Sequence, residues 1–352
     1  MSGTGTARHD LPLVPFLDAL RAGDRDRALG VVAALRDQGT PTLRLLDELV
    51  APAQRQVGQL WAEDRLSVAE EHAATAVSEA VIAALTDRAT APVTPGGSGP
   101  AGRTPTAPVV VACVEHEWHA VPALILSEFL RADGLPVSYV GANVSAAQLV
   151  RHVHDTGPVA VALSCSLGAT LPRARRQVEA IRETGTPVIV GGSAFDLAGR
   201  RAAAIGANGY AADARQAAEL VRSLPAAVPP AEPLPSAAAE EAVVISADRE
   251  RLAELVRARM ERLCPGSGDD PGAWRDTLTD QLGYLVGCVA GALLCEDPSV
   301  LEEAVGWAAE VTRVRGAGPG TAAALRTALT DALREHPAAT ALLGSLGPTS
   351  AA

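Results

Sequence analysis

The first part of the chain carries hydrophobic residues at helical spacing. Leu13, Phe16, Leu17 and Leu20 recur at intervals of three or four residues, and similar groups continue downstream. This spacing gathers apolar side chains on one face of a helix. We therefore predict a bundle of four or five helices over 11–88.

The middle part, 108–223, alternates between short β-branched runs and helical patterns. The strand-like runs, each followed by a helical stretch, lie at 109–112, 137–140, 159–163, 188–190 and 209–211. Such β-α repeats are typical of a parallel sheet with helices on both faces, a flavodoxin-like (Rossmann-like) fold. Ligands of these sheets bind at the carboxyl ends of the strands, where candidate chemistry is therefore expected.

The last part, 240–346, has helical patterns and little strand signal, which predicts an all-α domain. Two stretches rich in Pro and small residues, 89–107 and 224–239, separate the three parts and predict linkers. The sequence thus predicts a multidomain α and α/β protein with a helical bundle, a parallel sheet and C-terminal helices.

Composition narrows the range of functions. The net charge is −11 and all 30 basic residues are arginines, so we expect no basic groove and no direct nucleic-acid partner. The start shows no secretory leader, and the most apolar run, 282–294, is shorter than the roughly 20 residues that cross a bilayer. The 5 cysteines follow no metal or disulfide spacing. We expect a soluble, cytoplasmic protein without a membrane partner.

Three loops after strands carry candidate ligand-binding residues. The first contains His119 with Glu117 two residues earlier, a spacing at which a carboxylate can orient an imidazole for a metal. The third strand ends in a Ser-rich loop, 164–168, and the fourth in Gly191-Gly192, where a ligand can approach the backbone. Each loop alone is common on protein surfaces, but together they indicate one ligand site.

These loops resemble the motif of cobalamin-binding flavodoxin-like domains, in which an acidic residue, a spacer, His, two spacers and Gly precede a Ser loop and a Gly pair. The resemblance implies that His119 is the lower axial ligand of cobalt and that Glu117 tunes it. It also implies that the corrin and its displaced tail contact Trp118, Ala120, Val121, Ser164, Ser166, Leu167, Gly191, Gly192 and Ser193. This chain departs from the motif twice, with Glu117 for the common Asp and Pro122 for the usual Gly.

The N-terminal part contains Trp61, nine residues, and then Glu71-His72. This pattern resembles the cap of CarH-type light-sensing cobalamin domains, so cobalamin is expected between the bundle and the sheet domain. The resemblance implies that Trp61 covers the adenosyl group, that Glu71 helps to hold it and that Val68 also contacts the cobalamin. His72 would bind cobalt from the upper side after light breaks the cobalt–carbon bond. The alternative is a buried Trp with a solvated Glu-His pair.

The order of the three parts resembles the photocobilins, which pair cobalamin with a bilin in a globin-like domain. The resemblance implies a biliverdin-type bilin in the C-terminal part, and we take its candidate contacts to be Trp274, Tyr284, Trp307 and Arg313. Two alternatives remain open. Haem would need an axial His, and His336 is the one histidine after residue 154. A helical packing or dimerisation module would bind no ligand.

The leading hypothesis is a photoreceptor that uses adenosylcobalamin, with the bilin as second chromophore. It would be a sensor rather than an enzyme and would signal, through cap movement or a change of homo-oligomeric state, to an unidentified downstream protein. A corrinoid methyl carrier of a methyltransferase system is the second hypothesis, although a carrier has little use for a covering Trp61. A cobalamin-binding regulator that ignores light is the third.

Overall fold

The computed structural model describes residues 11–86, 107–234, 236–265 and 272–346. The chain forms two compact units, divided after residue 101. The first unit contains the N-terminal helices, and the second contains the sheet and all later helices. The predicted linker 89–107 lies outside the described residues, apart from its last position.

The first unit is a helical bundle, as predicted. Its helices are α1 (Leu13–Arg21), α2 (Arg25–Asp37), α3 (Thr42–Leu45), α4 (Ala51–Ala62) and α5 (Val68–Thr86), with a π-helical turn, Leu46–Val50, between α3 and α4. Its interior is filled by fully buried large side chains, among them Phe16, Leu20, Leu45, Leu46 and Leu49. Each such burial favours the folded state by about 1.5–3 kcal/mol.

The second unit contains a five-stranded parallel sheet. The strands are β1 (Val109–Cys113), β2 (Val137–Gly141), β3 (Ala160–Ser164), β4 (Val188–Gly191) and β5 (Gly209–Ala211), in the order β2-β1-β3-β4-β5. This is the strand order of flavodoxin-like folds. The central strands β1 and β3 are buried along their whole length, which explains their continuous apolar sequences. The predicted α/β fold is confirmed.

Helices cover both faces of the sheet. They are α6 (Ala120–Ala132), α7 (Ala146–Thr156), α8 (Leu171–Arg182), α9 (Arg200–Ala204) and α10 (Ala214–Ser223). In the sheet register, Ser164 lies opposite both Cys113 and Gly191, at the carboxyl ends of three neighbouring strands. The loops that leave β1, β3 and β4 therefore meet at one edge of the sheet.

The C-terminal region is helical, as predicted, and it packs on the sheet domain. Its helices are α11 (Ala237–Ala247), α12 (Arg249–Leu263), α13 (Ala273–Cys295), α14 (Ser299–Val314), α15 (Thr321–Ala332) and α16 (Pro337–Ser345). One hydrophobic cluster runs from Val110 and Leu163 in the sheet to Leu285 and Val289 in α13. Among the described residues, α13 alone is long and apolar enough to cross a membrane. Because 67% of its most apolar window is buried, we assign it as a core helix.

The Pro-rich stretch before α11 is held against α8. Arg182 donates hydrogen bonds to the carbonyls of Pro229 (3.0 Å) and Pro230 (3.2 Å), and Arg175 donates to the carbonyl of Glu232. The Val228 amide adds a bond of 2.9 Å to the Gly185 carbonyl. Side chains of one helix thus fix the connection between the sheet and the C-terminal helices.

Arg201 of α9 ties the sheet domain to the corner between α13 and α14. Its side chain is 4% exposed and donates to Asp297 (2.7 Å), Glu303 (2.9 Å) and the Ser299 hydroxyl (2.8 Å). Burial alone would lower the pKa of Arg201, but the hydrogen bonds and charges of Glu303 and Asp297 outweigh it and raise that pKa. The guanidinium is therefore charged at every physiological pH.

Two glycines bring the backbone of α13 against the turn Gly168–Thr170. A Cβ on Gly287 would lie 2.7 Å from the Cβ of Ala169, and one on Gly291 would lie 2.5 Å from the Gly168 carbonyl oxygen. Neither position has room for a side chain unless the helix moves away.

We expect Gly287→Ala to lower the free energy of unfolding by about 1–3 kcal/mol, because the methyl group forces α13 away from Ala169. Gly283→Ala on the same helix is the matched control. A Cβ at Gly283 meets nothing within 4 Å, so this change should be neutral or stabilise the helix by up to about 1 kcal/mol. Thermal unfolding followed by circular dichroism compares the two variants, and equal stabilities would contradict this packing.

Candidate functional site

His119 ends the loop after β1 and directly precedes α6. Its imidazole Nδ1 lies 2.5 Å from the Glu117 Oε1 atom, and the side chain is 55% exposed. A carboxylate at Nδ1 fixes the tautomer and makes Nε2 the more basic ring nitrogen. Nε2 is the atom through which this imidazole can bind a metal.

The Glu117 carboxylate is fully buried and joins two loops. Besides the imidazole, Oε1 accepts the His119 amide (3.0 Å), and Oε2 accepts the amides of Ser166 (2.6 Å) and Leu167 (3.2 Å). Burial by itself would raise the pKa of Glu117, but the hydrogen bonds and the charge of His119 outweigh it and hold that pKa below its ordinary value. Glu117 is therefore an anion at neutral pH.

The backbone of the His119 loop is pinned by two amide side chains. Asn143 Oδ1 accepts the His116 amide at 2.8 Å, and Gln177 Oε1 accepts the Glu115 amide at 3.1 Å. His116 has a positive φ of 65°, an uncommon conformation for a residue with a side chain. Asn143 and Gln177 follow no motif in the sequence, and only the fold reveals their role.

The Ser and Gly loops lie against each other beside the His119 loop. Ser164 is buried, and the Ser193 hydroxyl donates to the Ser166 carbonyl at 2.9 Å. Gly192 has φ +113°, and a Cβ there would lie 2.3 Å from the Cys165 carbonyl oxygen. Only glycine allows both this φ and this close approach to Cys165, so the backbone conformation itself requires that position 192 has no side chain.

The sheet edge also exposes the apolar surface of Trp118, and the Cys113 thiol is buried nearby. Trp118 is 69% exposed beside His119, whereas Ala120 and Val121 begin α6 and are buried. Cys113 is fully buried, and burial raises the pKa of its thiol to about 12, so this nearby thiol is protonated at neutral pH. The site therefore offers one imidazole, a buried carboxylate and an exposed aromatic ring.

In the first unit, the candidate cap residues lie on α4 and α5. Val68, Glu71 and His72 fall on one face of α5, where Val68 is 56% exposed and the His72 side chain 75% exposed. Trp61 lies near the end of α4 and is half-buried.

Glu71 is held in place by a chain of hydrogen bonds within the bundle. Its Oε1 accepts the Thr75 hydroxyl at 2.9 Å, and its Oε2 lies 2.6 Å from the His72 Nδ1 atom. Gln54 of α4 donates to the Thr75 oxygen at 2.5 Å and accepts from the Ser78 hydroxyl at 2.9 Å. The carboxylate is thus fixed by its neighbours rather than freely solvated. The role of Gln54 and Thr75 is not visible in the sequence.

The four candidate bilin contacts do not converge. Tyr284 and Trp307 meet edge to face with ring centroids 5.9 Å apart. Trp274 is buried under the Arg275 guanidinium and lies ten residues before Tyr284 on α13, about 15 Å along the helix axis. Arg313 pairs with Glu310 at 2.6 Å on the surface of α14. The structure therefore brings together only the Tyr284 and Trp307 side chains.

Comparison with known proteins agrees with the geometry at the sheet edge. Residues 107–219 match the family described as "B12 binding domain", and residues 15–86 match a second family of the same description. Over 182 residues the chain is 30% identical to the HTH-type transcriptional repressor CarH of Myxococcus xanthus. That match covers 51% of this chain and 56% of the repressor, so the chain spans about half the length of this curated relative.

Three solved structures resemble parts of the chain. The monomethylamine corrinoid protein of Methanosarcina barkeri is 13% identical, with a TM-score of 0.48 over 59% of this chain and 96% of that protein. The methanol:cobalamin methyltransferase complex MtaBC of the same organism is 19% identical (TM-score 0.31; 60% and 80% covered). A cobalamin-binding protein of Desulfitobacterium hafniense DCB-2 is 20% identical (TM-score 0.31; 59% and 95% covered). These likenesses are too distant to carry a function across.

The two family matches and the CarH-like sequence agree on one coarse property. Residues 15–86 and 107–219 each match a B12 binding domain, and 182 residues of the chain are similar to the CarH repressor, so cobalamin binding is the coarse property that they support.

Proposed function

We propose that this chain is a light sensor that binds adenosylcobalamin, with His119 as the lower axial ligand of cobalt. The observation that carries the assignment of the axial ligand is the buried Glu117 carboxylate, which orients the imidazole of His119 and ties its loop to Ser166 and Leu167. A buried anion that fixes an imidazole in this way is the arrangement that raises the basicity of a metal-binding histidine.

The sheet-domain residues have distinct roles in the proposal. His119 binds the metal, Glu117 keeps the Nδ1 side of the ring engaged, and Trp118 offers apolar surface beside the ligand. Gly192 and Ser193 leave the sheet edge open to the displaced nucleotide tail, because no side chain fits at Gly192. When bound, adenosylcobalamin supplies a cobalt–carbon bond that visible light breaks.

The first unit supplies the residues that favour the adenosyl form. We propose that Trp61 and Val68 cover the adenosyl group and that Glu71, held by Thr75, binds its polar side. His72 is the side chain that we expect to bind cobalt once the adenosyl group has left, since it is largely exposed. The similarity to the CarH repressor over 182 residues supports this assignment.

The remaining parts of the proposal concern output and a second chromophore. The chain acts as a sensor rather than an enzyme and signals to a separate protein, with a change in self-association as one form of the signal. A biliverdin-type bilin in the C-terminal helices is supported by the contact of Tyr284 with Trp307. Arg313, the candidate partner of a propionate, pairs with Glu310 on the surface of α14 instead.

The test is the absorption spectrum of the full chain, reconstituted in the dark with adenosylcobalamin and then exposed to green light. We expect a spectral change that persists in the dark, and weaker retention of adenosylcobalamin relative to methylcobalamin in Trp61→Ala. Val14→Ala, an exposed apolar residue of the same bundle, is the control and should behave as the unmodified chain. Added biliverdin should give a separate red band.

Three contrary outcomes would each overturn a different part of the proposal. A bound adenosylcobalamin that survives illumination would replace the light sensor with a methyl carrier or a light-insensitive regulator. Equal retention of both cobalamins in Trp61→Ala would remove the cap assignment. The absence of a red band would remove the bilin and leave the cobalamin proposal intact.

A further inference from the structure

A polar cavity lies next to the His119 loop, on the side of the C-terminal helices. It has a volume of about 360 Å³ and is lined by the loop residue His116, by Arg173 of α8, and by residues 246–251, where α11 ends and α12 begins. Three separate segments of the second unit therefore converge on one space.

Positive charge dominates this cavity. Arg173 and Arg249 come from different helices, and neither lies within ion-pair distance of a carboxylate in the described part of the chain. Burial, and then the charges of Arg249 and Arg176, lower the pKa of Arg173. Burial, and then the charges of Arg173, Arg249 and Arg176, lower the pKa of His116 as well. The cations therefore repel one another, and the charge of Glu115 offsets this repulsion only in part.

The acidic groups nearby do not neutralise the two arginines. Asp248 bonds to Arg251 at 2.6 Å and Glu115 lies 3.7 Å from Arg176, so both carboxylates are engaged by other partners. Glu250 also lines the cavity, but its side chain is exposed to solvent. The net charge of the lining is therefore positive, in a protein whose total charge is −11.

One unsatisfied donor atom and the start of a helix point to an acceptor in this cavity. The Arg173 Nε atom is buried and has no hydrogen-bond partner. A buried donor of this kind is costly, and native structures leave few of them unpaired. The 15-residue helix α12 begins in the same cavity, and its N-cap Asp248 makes no side-chain capping bond to the first turn. The partial positive charge at the N-terminus of a helix attracts anions.

We propose that this cavity binds a small oxyanion of the phosphate class, held by Arg173, Arg249 and the first turn of α12. Planar guanidinium groups from two directions match the oxygen geometry of phosphate. The anion would join α8 and the C-terminal helices to the loop that carries His119. The inference stands on this cavity alone and does not depend on the cobalamin proposal.

An oxyanion of the phosphate class has two sources, which are a free phosphate anion and the phosphodiester group of a cobalamin. The first arm of the test titrates the full apoprotein with inorganic phosphate by calorimetry. We expect saturable binding that Arg173→Gln and Arg249→Gln each weaken about 10- to 100-fold, as the loss of a charged hydrogen bond implies. Arg200→Gln, an exposed arginine of α9 paired with Asp196, removes the same charge elsewhere and should bind as the unmodified chain.

Thermal unfolding in the absence of phosphate is the control that each variant still folds. Arg173→Gln should be at least as stable as the unmodified chain, because it removes a repelled cation whose Nε has no partner. Added phosphate should raise the melting temperature of the unmodified chain and leave that of Arg173→Gln unchanged.

The second arm compares cobalamin with cobinamide, which lacks the phosphodiester and the nucleotide. If inorganic phosphate does not bind but Arg173→Gln weakens cobalamin and spares cobinamide, the oxyanion site stands and the cofactor is its source. If inorganic phosphate does not bind and both corrinoids bind Arg173→Gln normally, the proposal is wrong. That result would leave cobalamin binding through His119 untouched, so the two proposals fail separately.

Discussion

Replacing His119 with alanine is expected to weaken cobalamin binding by on the order of 100-fold. Loss of a residue that only supports a metal ligand lowers metal affinity by about 10- to 100-fold, and loss of the ligand itself should lie at the upper end of that range. The imidazole is the single described side chain at the sheet edge that combines a metal-binding nitrogen with a buried carboxylate partner. Cys113 cannot replace it, because its side chain is fully buried. The measurement is a titration of the apoprotein with cobalamin, followed by the absorption spectrum.

His154→Ala is the matched control for this experiment. His154 is exposed on α7, so its removal should change neither the affinity nor the spectrum. An unmodified affinity and spectrum in His119→Ala would contradict the assignment of the axial ligand.

The second large effect is expected for Glu117→Gln. The amide has nearly the same shape, but its NH₂ group faces N–H donors where the carboxylate accepted four hydrogen bonds. We expect cobalamin affinity to fall about 10- to 100-fold and the free energy of unfolding to fall by about 1–3 kcal/mol, because buried donors lose their acceptor. Titration with cobalamin and denaturant unfolding measure the two effects.

Two further variants separate charge from shape. Glu115→Gln changes the same chemical group in the same loop, but its partner Arg176 is 61% exposed, and we expect less than about 1 kcal/mol. Glu117→Asp keeps the charge and should recover part of the affinity. Should Glu117→Gln bind cobalamin and unfold like the unmodified chain, the carboxylate would have no orienting role.

The sign of the pH effect follows from the pKa of Glu117. Because the folded-state pKa lies below the ordinary value of 4.5, the carboxylate stabilises the fold fully at neutral pH. This contribution is lost only as the pH falls below 4.5 and through the folded-state pKa. Acid should therefore loosen the two loops that Glu117 joins.

The sequence was sufficient for the parallel sheet and for the candidate His119 loop. Short β-branched runs followed by helical patterns identify the strands, because a doubly covered sheet needs continuous apolar strands. The two-residue spacing of Glu117 and His119 also lies within one loop, where local geometry can be anticipated. These features depend on neighbours in sequence.

Contacts between distant segments were beyond sequence reasoning. The amides of Ser166 and Leu167 reach Glu117 only because the register places Cys113 opposite Ser164. Gln177 accepts the Glu115 amide because the fold places α8 next to the loop that follows β1. Neither contact leaves a periodic or spacing signal in the chain.

The C-terminal helices illustrate the same limit. Their helical periodicity is visible, but the contact of Gly287 and Gly291 with the turn Gly168–Thr170 depends on side chains that are absent. That turn directly follows Ser166 and Leu167, which donate to Glu117. A continuous series of packed groups therefore runs from α13 to His119, and its strength can be measured by the effect of Gly287→Ala on cobalamin affinity.

The most direct test of the central claim is the electron paramagnetic resonance spectrum of Co(II) cobalamin bound to the full chain. The protein is prepared with ordinary histidine and with histidine carrying ¹⁵N in the ring. If His119 binds cobalt, the label changes the nitrogen splitting of the cobalt lines from triplets to doublets, and His119→Ala abolishes this effect of the label. If the triplets persist in the labelled protein, the axial nitrogen comes from the cofactor's own base and the account of this site is wrong.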